Sequence, residues 1–569
     1  MIGHGNRRRW WAGLLALAGT LGLTAAVWPP NDLVARGSKA AVVSAEPRAT
    51  RIGLEILQNG GNAVDAAVAV ALALAVTHPQ AGNLGGGGFM LIRLADGTSN
   101  ALDFRERAPK SARADLYLKP DGSVDQDKIQ YGATAAGVPG SPAGLLHAQE
   151  AFGNLRLKAV CAPAIRLARE GFVVDHFLAA DLQENAAQLG RFASTRKVFF
   201  REGKPLQQGD LLVQTDLAET LERFAERGLE GFYQGKTAEL LVAQMQRDGG
   251  FVTAEDLRDY TVRVRTPLVA KYRGHDVISM PPPSSGGVAL LQMLNLLSGF
   301  DLAILGYGGS ESIHLLTEVM RRAYADRSRW LGDPDHYDVP VQGLLSRQYT
   351  EKLRATIDRT KKTEVQPGLP PGKQESDDTT HFSIVDAGGN VVSCTTTINS
   401  TFGSMVVVDG AGFFLNNEMD DFSAKPGVPN QFGLVGGKAN AIAAQKRMLS
   451  SMTPTIVMKG EAVRLVLGAP GGGRIITAVL QTLLNVVDHG MTLEQAVRAP
   501  RIHHQWLPDE IVFEPQALAP DVRTALTQKG HTFAKKPRGI GQVFAIEVLP
   551  DGTRIAVCDH RSGGAAGAY

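Results

Sequence analysis

Asp377-Asp378-Thr379-Thr380-His381-Phe382-Ser383-Ile384-Val385-Asp386 marks an abrupt change of pattern in the chain. Before it, residues 361–376 are rich in Pro, Gly and charge and read as exposed linker. After it, His381 to Val385 alternates, Ala387-Gly388-Gly389-Asn390 makes a turn, and Val391 to Ile398 is rich in β-branched residues, so a hairpin is expected. A Thr at the start of a strand, directly after an acidic linker, has two readings. Asp-Thr-Thr alone reads as an ordinary loop-to-strand junction. The other reading is a cleavage point between Asp378 and Thr379, which makes Thr379 a new N-terminus. Its hydroxyl then lies beside its own α-amine, whose unperturbed pKa is about 7.7–8.0. Such an amine accepts the hydroxyl proton near neutral pH and so activates a nucleophile.

Further motifs favour the second reading. Thr379-Thr380-His381-Phe382-Ser383 is followed by Thr397-Ile398-Asn399-Ser400-Thr401-Phe402-Gly403, by Asn416-Asn417-Glu418-Met419-Asp420-Asp421-Phe422, by Leu449-Ser450-Ser451-Met452 and by Pro470-Gly471-Gly472. Together these resemble the γ-glutamyltransferase (γ-glutamyltranspeptidase) family, over residues 40–569. Members of that family are N-terminal-nucleophile hydrolases made as one precursor that cuts itself in two. The resemblance implies an α+β fold, a four-layer αββα sandwich with antiparallel sheets in the middle. It also implies a large fragment 27–378 and a small fragment 379–569, which pair as a heterodimer sharing one core.

Composition narrows the alternatives. A net charge of +2 gives no electrostatic case for nucleic acid. Three cysteines, Cys161, Cys394 and Cys558, are too few for a disulfide framework and read as buried thiols, with one bridge open. Residues 1–26 read as a signal peptide. Arg7-Arg8-Arg9 is the positive end, an uncharged apolar run follows, and Thr24-Ala25-Ala26 offers small residues for cleavage. An uncleaved anchor is the alternative, since the run lies near the lower limit for a span. The mature protein is expected to be exported, periplasmic or secreted. Gly85-Gly86-Gly87-Gly88 precedes a strand and lacks a following Lys-Ser/Thr, so it is no phosphate loop. His503-His504 lacks metal-helix spacing and no His-Glu-x-x-His occurs, so no metal is inferred, and the family resemblance implies no cofactor.

Elsewhere, helices are expected over Ala49 to Leu57 and Ala63 to Val76, the second apolar nearly all round and hence buried. A mostly helical stretch follows from about Gly137 to Leu331, with strands around Tyr260 to Met280 and a long amphipathic helix from His314. After the hairpin, paired strands are expected to continue to Phe413-Phe414-Leu415.

The resemblance assigns the site. Thr379 is the nucleophile, with its own amine as base. Thr397, across the hairpin, would hold its rotamer. The N–H groups of Gly471 and Gly472 would face the tetrahedral oxyanion, where one donor is typically worth about 2.7–4 kcal/mol. Arg105, in Asp103-Phe104-Arg105-Glu106, would grip a substrate α-carboxylate with its guanidinium fork, assisted by Ser450 and Ser451. Glu418 and Asp421, with Asn399, would hold the α-ammonium. One cation and two carboxylates imply a ligand bearing both signs, since buried charges must be paired. Glutathione and other γ-glutamyl compounds are the implied substrates, with water, amino acids or peptides as acceptors. Residues 426–437 match a lid loop in which Phe432 stands where Tyr is frequent. Met448, Ala469 and Gly473 depart from the commoner pattern. Two rivals remain: a glutaryl or cephalosporin acylase of the same family, which has no use for Glu418 and Asp421, and an inactive exported binding protein, which would stay uncut.

Overall fold

The computed structural model describes residues 33–366, 379–425, 427–428, 430–431 and 433–569. The expected signal segment, Asp378 and Phe432 lie outside the described residues.

The expected hairpin is present. Strand Thr379–Val385 pairs antiparallel with Val391–Thr397, and Thr379 stands opposite Thr397. Asp386 closes the turn by accepting from the Asn390 N–H at 2.8 Å and Nδ2 at 2.7 Å. The same carboxylate accepts from the Ala63 N–H at 2.9 Å, which docks the start of helix Ala63–Thr77 onto the turn. Anions are favoured at a helix N-terminus because its first N–H groups have no partner within the helix.

That hairpin lies at the centre of a seven-stranded sheet. Its order is Ala565–Ala568, Ala41–Ser44, Thr379–Val385, Val391–Thr397, Gly87–Arg93, Ser99–Asp103 and Arg263–Arg265. A second seven-stranded sheet runs Val34–Gly37, Arg554–Cys558, Phe544–Val548, Ala462–Gly468, Thr455–Lys459, His275–Ser279 and Leu268–Tyr272. The pairings in both are antiparallel. In each sheet, strands from before and after the linker lie side by side.

Period-two alternation explains the layering. Phe382 and Ile384 face helices Pro47–Gln58 and Ala63–Thr77 in one apolar core. His381 and Ser383 face the other sheet. Ser383 Oγ donates to the Phe544 carbonyl at 3.1 Å, and Ser393 Oγ to the Leu467 carbonyl at 3.2 Å. The sheets come so close that a Cβ at Gly468 would sit 2.3 Å from the His381 ring. Burial pushes His381 down to about 3, so it is neutral there. Helices Gly286–Leu297 and Ile475–Val487 cover the outer face of the second sheet. The order is thus helix, sheet, sheet, helix: the expected αββα sandwich.

One expectation fails. The paired strands do not continue to Leu415. Asn399, Phe402 and Met405 take positive φ of 76°, 60° and 69°, which turns the chain out of the sheet. Only a single bridge, Val407 to Phe414, remains. The apolar side chains of this stretch are buried as a packed loop, with Phe414 stacked 5.1 Å from Phe199. A short apolar run carries the same pattern whether it pairs or merely packs. The three cysteines are free and buried.

Candidate active site

Thr379 heads its strand at 9% exposure and lines two clefts. The smaller is walled by Arg105, Thr397, Asn399, Asp421, Ser450, Ser451 and Gly472, so the fold brings most of the expected residues to one place. The larger, on the side of Pro470 and Gly471, is walled by polar groups including His78, Asp181 and Arg561.

Arg105 is fully buried just past the end of strand Ser99–Asp103. Its guanidinium meets three carboxylates. Nη1 lies 2.6 Å from Glu418 and 3.3 Å from Glu106, and Nη2 donates to Asp421. Nε donates to the Met448 carbonyl at 3.3 Å. That contact uses only backbone, and the Met448 side chain packs with Met419, Phe422 and Ile442 in a small apolar cluster. Glu418 and Asp421 lie on one 3-10 turn, Glu418–Asp421. Asn416 positions it by accepting from the Glu418 and Gly137 N–H groups at 3.0 and 2.9 Å. The glycine run explains itself here. A Cβ on Gly86 would fall 2.1 Å from the Thr397 carbonyl, and one on Gly87 would fall 2.6 Å from Glu106 Oε2.

Thr397 Oγ1 accepts from the Asn399 N–H at 2.7 Å. Asn399 Nδ2 donates to the Asn417 carbonyl at 2.9 Å. Ser450 Oγ accepts from the Met452 N–H at 3.1 Å, and Ser451 Oγ accepts from Arg327 Nη2 at 2.9 Å. Gly471 and Gly472 have φ of 132° and 51° at the turn into helix Ile475–Val487, conformations that suit glycine. Over the smaller cleft, Leu434 forms part of the wall and Asn430 Nδ2 donates to Asp421 at 3.3 Å, so described residues of the stretch 426–437 touch the charge cluster.

A profile of the Gamma-glutamyltranspeptidase family matches residues 49–569. The chain belongs to this family. The glutathione hydrolase proenzyme of Escherichia coli (strain K12) is 48% identical over 532 residues, which cover 93% of this chain and 91% of that protein. The acylase ACY 1 proenzyme of Pseudomonas sp. (strain V22) is 39% identical over 537 residues, covering 93% of each. Among solved structures, a cephalosporin acylase from Bacillus halodurans superposes with a TM-score of 0.84 at 28% identity, covering 96% of this chain and 98% of that one.

This γ-glutamyltranspeptidase family member carries two site residues that sequence reading missed. Glu106 was quoted only as context for Arg105, and it proves to share the guanidinium. Arg327 sits on helix Ser310–Trp330, bonded to Ser451 and, at 2.9 Å, to Ser285 Oγ. Nothing local marks Arg327, which reads as one charge among several on an amphipathic helix.

The electrostatics follow from crowding. Burial alone would lower Arg105, but Glu418, Glu106 and Asp421 outweigh it and hold the cation on. Burial pushes Glu106 up to about 7 against the pull of Arg105. It raises Glu418 well above the carboxylate range, with Glu106 and Asp421 adding repulsion. Asp421 is raised by burial, opposed by Arg105 and Arg327. Burial thus keeps protons on these carboxyls against the pull of Arg105, and a ligand that brings a cation of its own favours their release.

Proposed function

We propose that this enzyme is a self-processing γ-glutamyltransferase and glutathione hydrolase that works through a γ-glutamyl-Thr379 ester. The observation that carries this is the cleft in which Thr379, an Arg105–carboxylate cluster and Gly472 meet. The freed Thr379 amine takes the proton from its own hydroxyl, and Oγ1 attacks the γ-carbonyl carbon. The oxyanion forms against the Gly471 and Gly472 N–H groups. The intermediate then collapses, and the leaving amine departs with the proton that the Thr379 amine had taken. Water or an acceptor amine attacks the ester carbonyl in the second half, reversing these roles. Because Thr379 also lines the larger cleft, the acceptor reaches the ester from that side. Arg105, Ser450 and Ser451 bind the substrate α-carboxylate; Glu418, Asp421 and Asn399 bind the α-ammonium. Maturation cuts between Asp378 and Thr379, leaving fragments 27–378 and 379–569 paired in one body, and export removes residues 1–26. No helix among the described residues is long and apolar enough to cross a membrane. The test is release of glutamate from a γ-glutamyl anilide, with and without a dipeptide acceptor. Absence of glutamate release from cut protein overturns the reading.

Arg105→Lys keeps the charge but cannot reach Glu106, Glu418, Asp421 and a substrate carboxylate together. One charged hydrogen bond is worth about 1.5–3 kcal/mol. The γ-glutamyl kcat/KM should therefore fall about 10–100-fold, with the cut still made. Unchanged kcat/KM removes Arg105 from the site.

A pH dependence follows from Glu106. With its carboxyl at about 7 in the free protein, the cluster becomes more negative as pH rises through that value. An incoming ammonium favours the ionised form, so binding releases a proton and tightens with rising pH. The γ-glutamyl KM should fall by up to about tenfold between roughly pH 6 and 8. A glutaryl amide, which has no ammonium, should show no such fall. KM is the quantity to follow, because the Thr379 amine titrates in the same range and moves kcat. Identical KM profiles for the two substrates would refute this.

A further inference from the structure

We infer that Tyr324 is a positioning residue that holds the oxyanion turn from the other side of the processing site; this rests on the γ-glutamyl transfer reading above. Tyr324 is buried at 2% exposure on helix Ser310–Trp330, which precedes the linker. Its Oη donates to the Gly473 carbonyl. The peptide that carries this carbonyl has the Arg474 N–H at its opposite end, because peptide units are trans and planar. That N–H donates to the Gly471 carbonyl at 2.9 Å. The Gly471 carbonyl in turn shares its peptide with the Gly472 N–H, the proposed oxyanion donor. The phenol is therefore the first member of a relay of two peptide units that ends on Gly472. Successive hydrogen bonds of this kind polarise one another and fix each peptide plane.

The surroundings leave the turn little freedom. Arg474 Nη1 donates to the Gly539 carbonyl at 2.8 Å, and Thr477 Oγ1 to the Arg474 carbonyl at 3.1 Å. Gly541 backs the turn so closely that a Cβ on Gly471 would lie 3.0 Å from its Cα. The Tyr324 ring is set edge-on to His503, at 5.5 Å and 87°, and His503 Nδ1 lies 2.9 Å from Thr477 Oγ1. Thr477 and Arg474 anchor the turn from its own fragment. Tyr324 supplies an anchor from the other fragment, so the orientation of the oxyanion donor depends also on the docking of helix Ser310–Trp330.

Tyr324→Phe removes the first member of the relay and keeps the ring packed. A small misalignment of an oxyanion donor is costly, so kcat for a γ-glutamyl anilide should fall about 10–100-fold with KM little changed. A boronic acid analogue of the γ-glutamyl end, whose tetrahedral adduct on Thr379 places an oxygen against the turn, should lose affinity by the same factor. Glutamate, which needs only the charge cluster, should bind as before. Unchanged boronate affinity, or equal loss for boronate and glutamate, overturns the inference. If the phenylalanine protein stays uncut, amide exchange is compared with that of uncut Thr379→Ala. Faster exchange confined to residues 471–475 supports the role, and unchanged exchange there overturns it. Failure of the wild-type enzyme to release glutamate would sink the γ-glutamyl reading separately, while the exchange comparison still decides whether Tyr324 holds the turn.

Discussion

Thr379→Ala is expected to remain one chain and to release no glutamate. On the proposed reading the substitution removes the hydroxyl that attacks the Asp378 carbonyl in maturation and the γ-carbonyl in turnover, so both reactions lose their nucleophile. The fold should survive. The remaining residues of strand Thr379–Val385 are buried, and the strand is paired on one side to Val391–Thr397 and on the other to Ala41–Ser44. Deleting one hydroxyl and one methyl at the strand's head therefore leaves its pairing and both cores in place. Thr379→Ser should still cut, more slowly, because the hydroxyl remains while the rotamer loses the restraint of a β-branched side chain. A denaturing gel with N-terminal sequencing is the measurement. Two fragments, the second starting at residue 379 of the alanine protein, would show that some other group makes the cut.

Asp421→Asn should make two substrates respond in opposite ways. Asp421 accepts from Arg105 and Asn430 and is proposed to face the substrate ammonium. Breaking a buried ion pair by neutralising one partner typically costs about 3–5 kcal/mol. The γ-glutamyl kcat/KM should accordingly fall by about two to four orders of magnitude. A glutaryl amide brings a carboxylate and no ammonium into a cluster where three carboxylates already share Arg105. Burial already raises Asp421, so removing its charge relieves repulsion and should leave glutaryl turnover unchanged or improved. The result bears directly on the acylase alternative, which an acylase relative at 39% identity keeps in view. Equal losses for both substrates would place Asp421 in support of the fold or of Thr379 instead.

The hairpin was legible in sequence because both its signals are local: alternation on each strand and a Gly-Gly-Asn turn between them. The buried helix Ala63–Thr77 was legible for the same reason, being apolar on every face. The four-layer stacking was not, because alternation says that Phe382 and His381 point opposite ways without saying what each meets. Site residues far apart in the chain, such as Arg105, Glu418, Ser451 and Gly472, were reached only through their resemblance to family motifs. Arg327 and Tyr324 were out of reach altogether. Helical periodicity marks a face as buried, but the partners of that face, Ser451 and Gly473, lie in a distant stretch of chain. The stretch after Ile398 departs from the strands expected there because an apolar run carries the same pattern whether it pairs or packs, and the positive φ of Asn399, Phe402 and Met405 has no signal in that pattern.

The mixing in each sheet of strands from before and after the linker has a bearing on the order of events in the life of the molecule. Strand Thr379–Val385 lies beside Ala41–Ser44, and Val391–Thr397 beside Gly87–Arg93. While the chain is continuous, these neighbours find one another as parts of one polymer, at the entropic cost of closing a loop. Once it is cut, the same encounter is between two molecules and depends on concentration. Neither piece retains a complete sheet with which to wait for the other. Folding must therefore precede cleavage, and the finished protein holds a shape that its separated parts are poorly equipped to find again. Its durability rests on how slowly it opens, more than on how readily it re-forms.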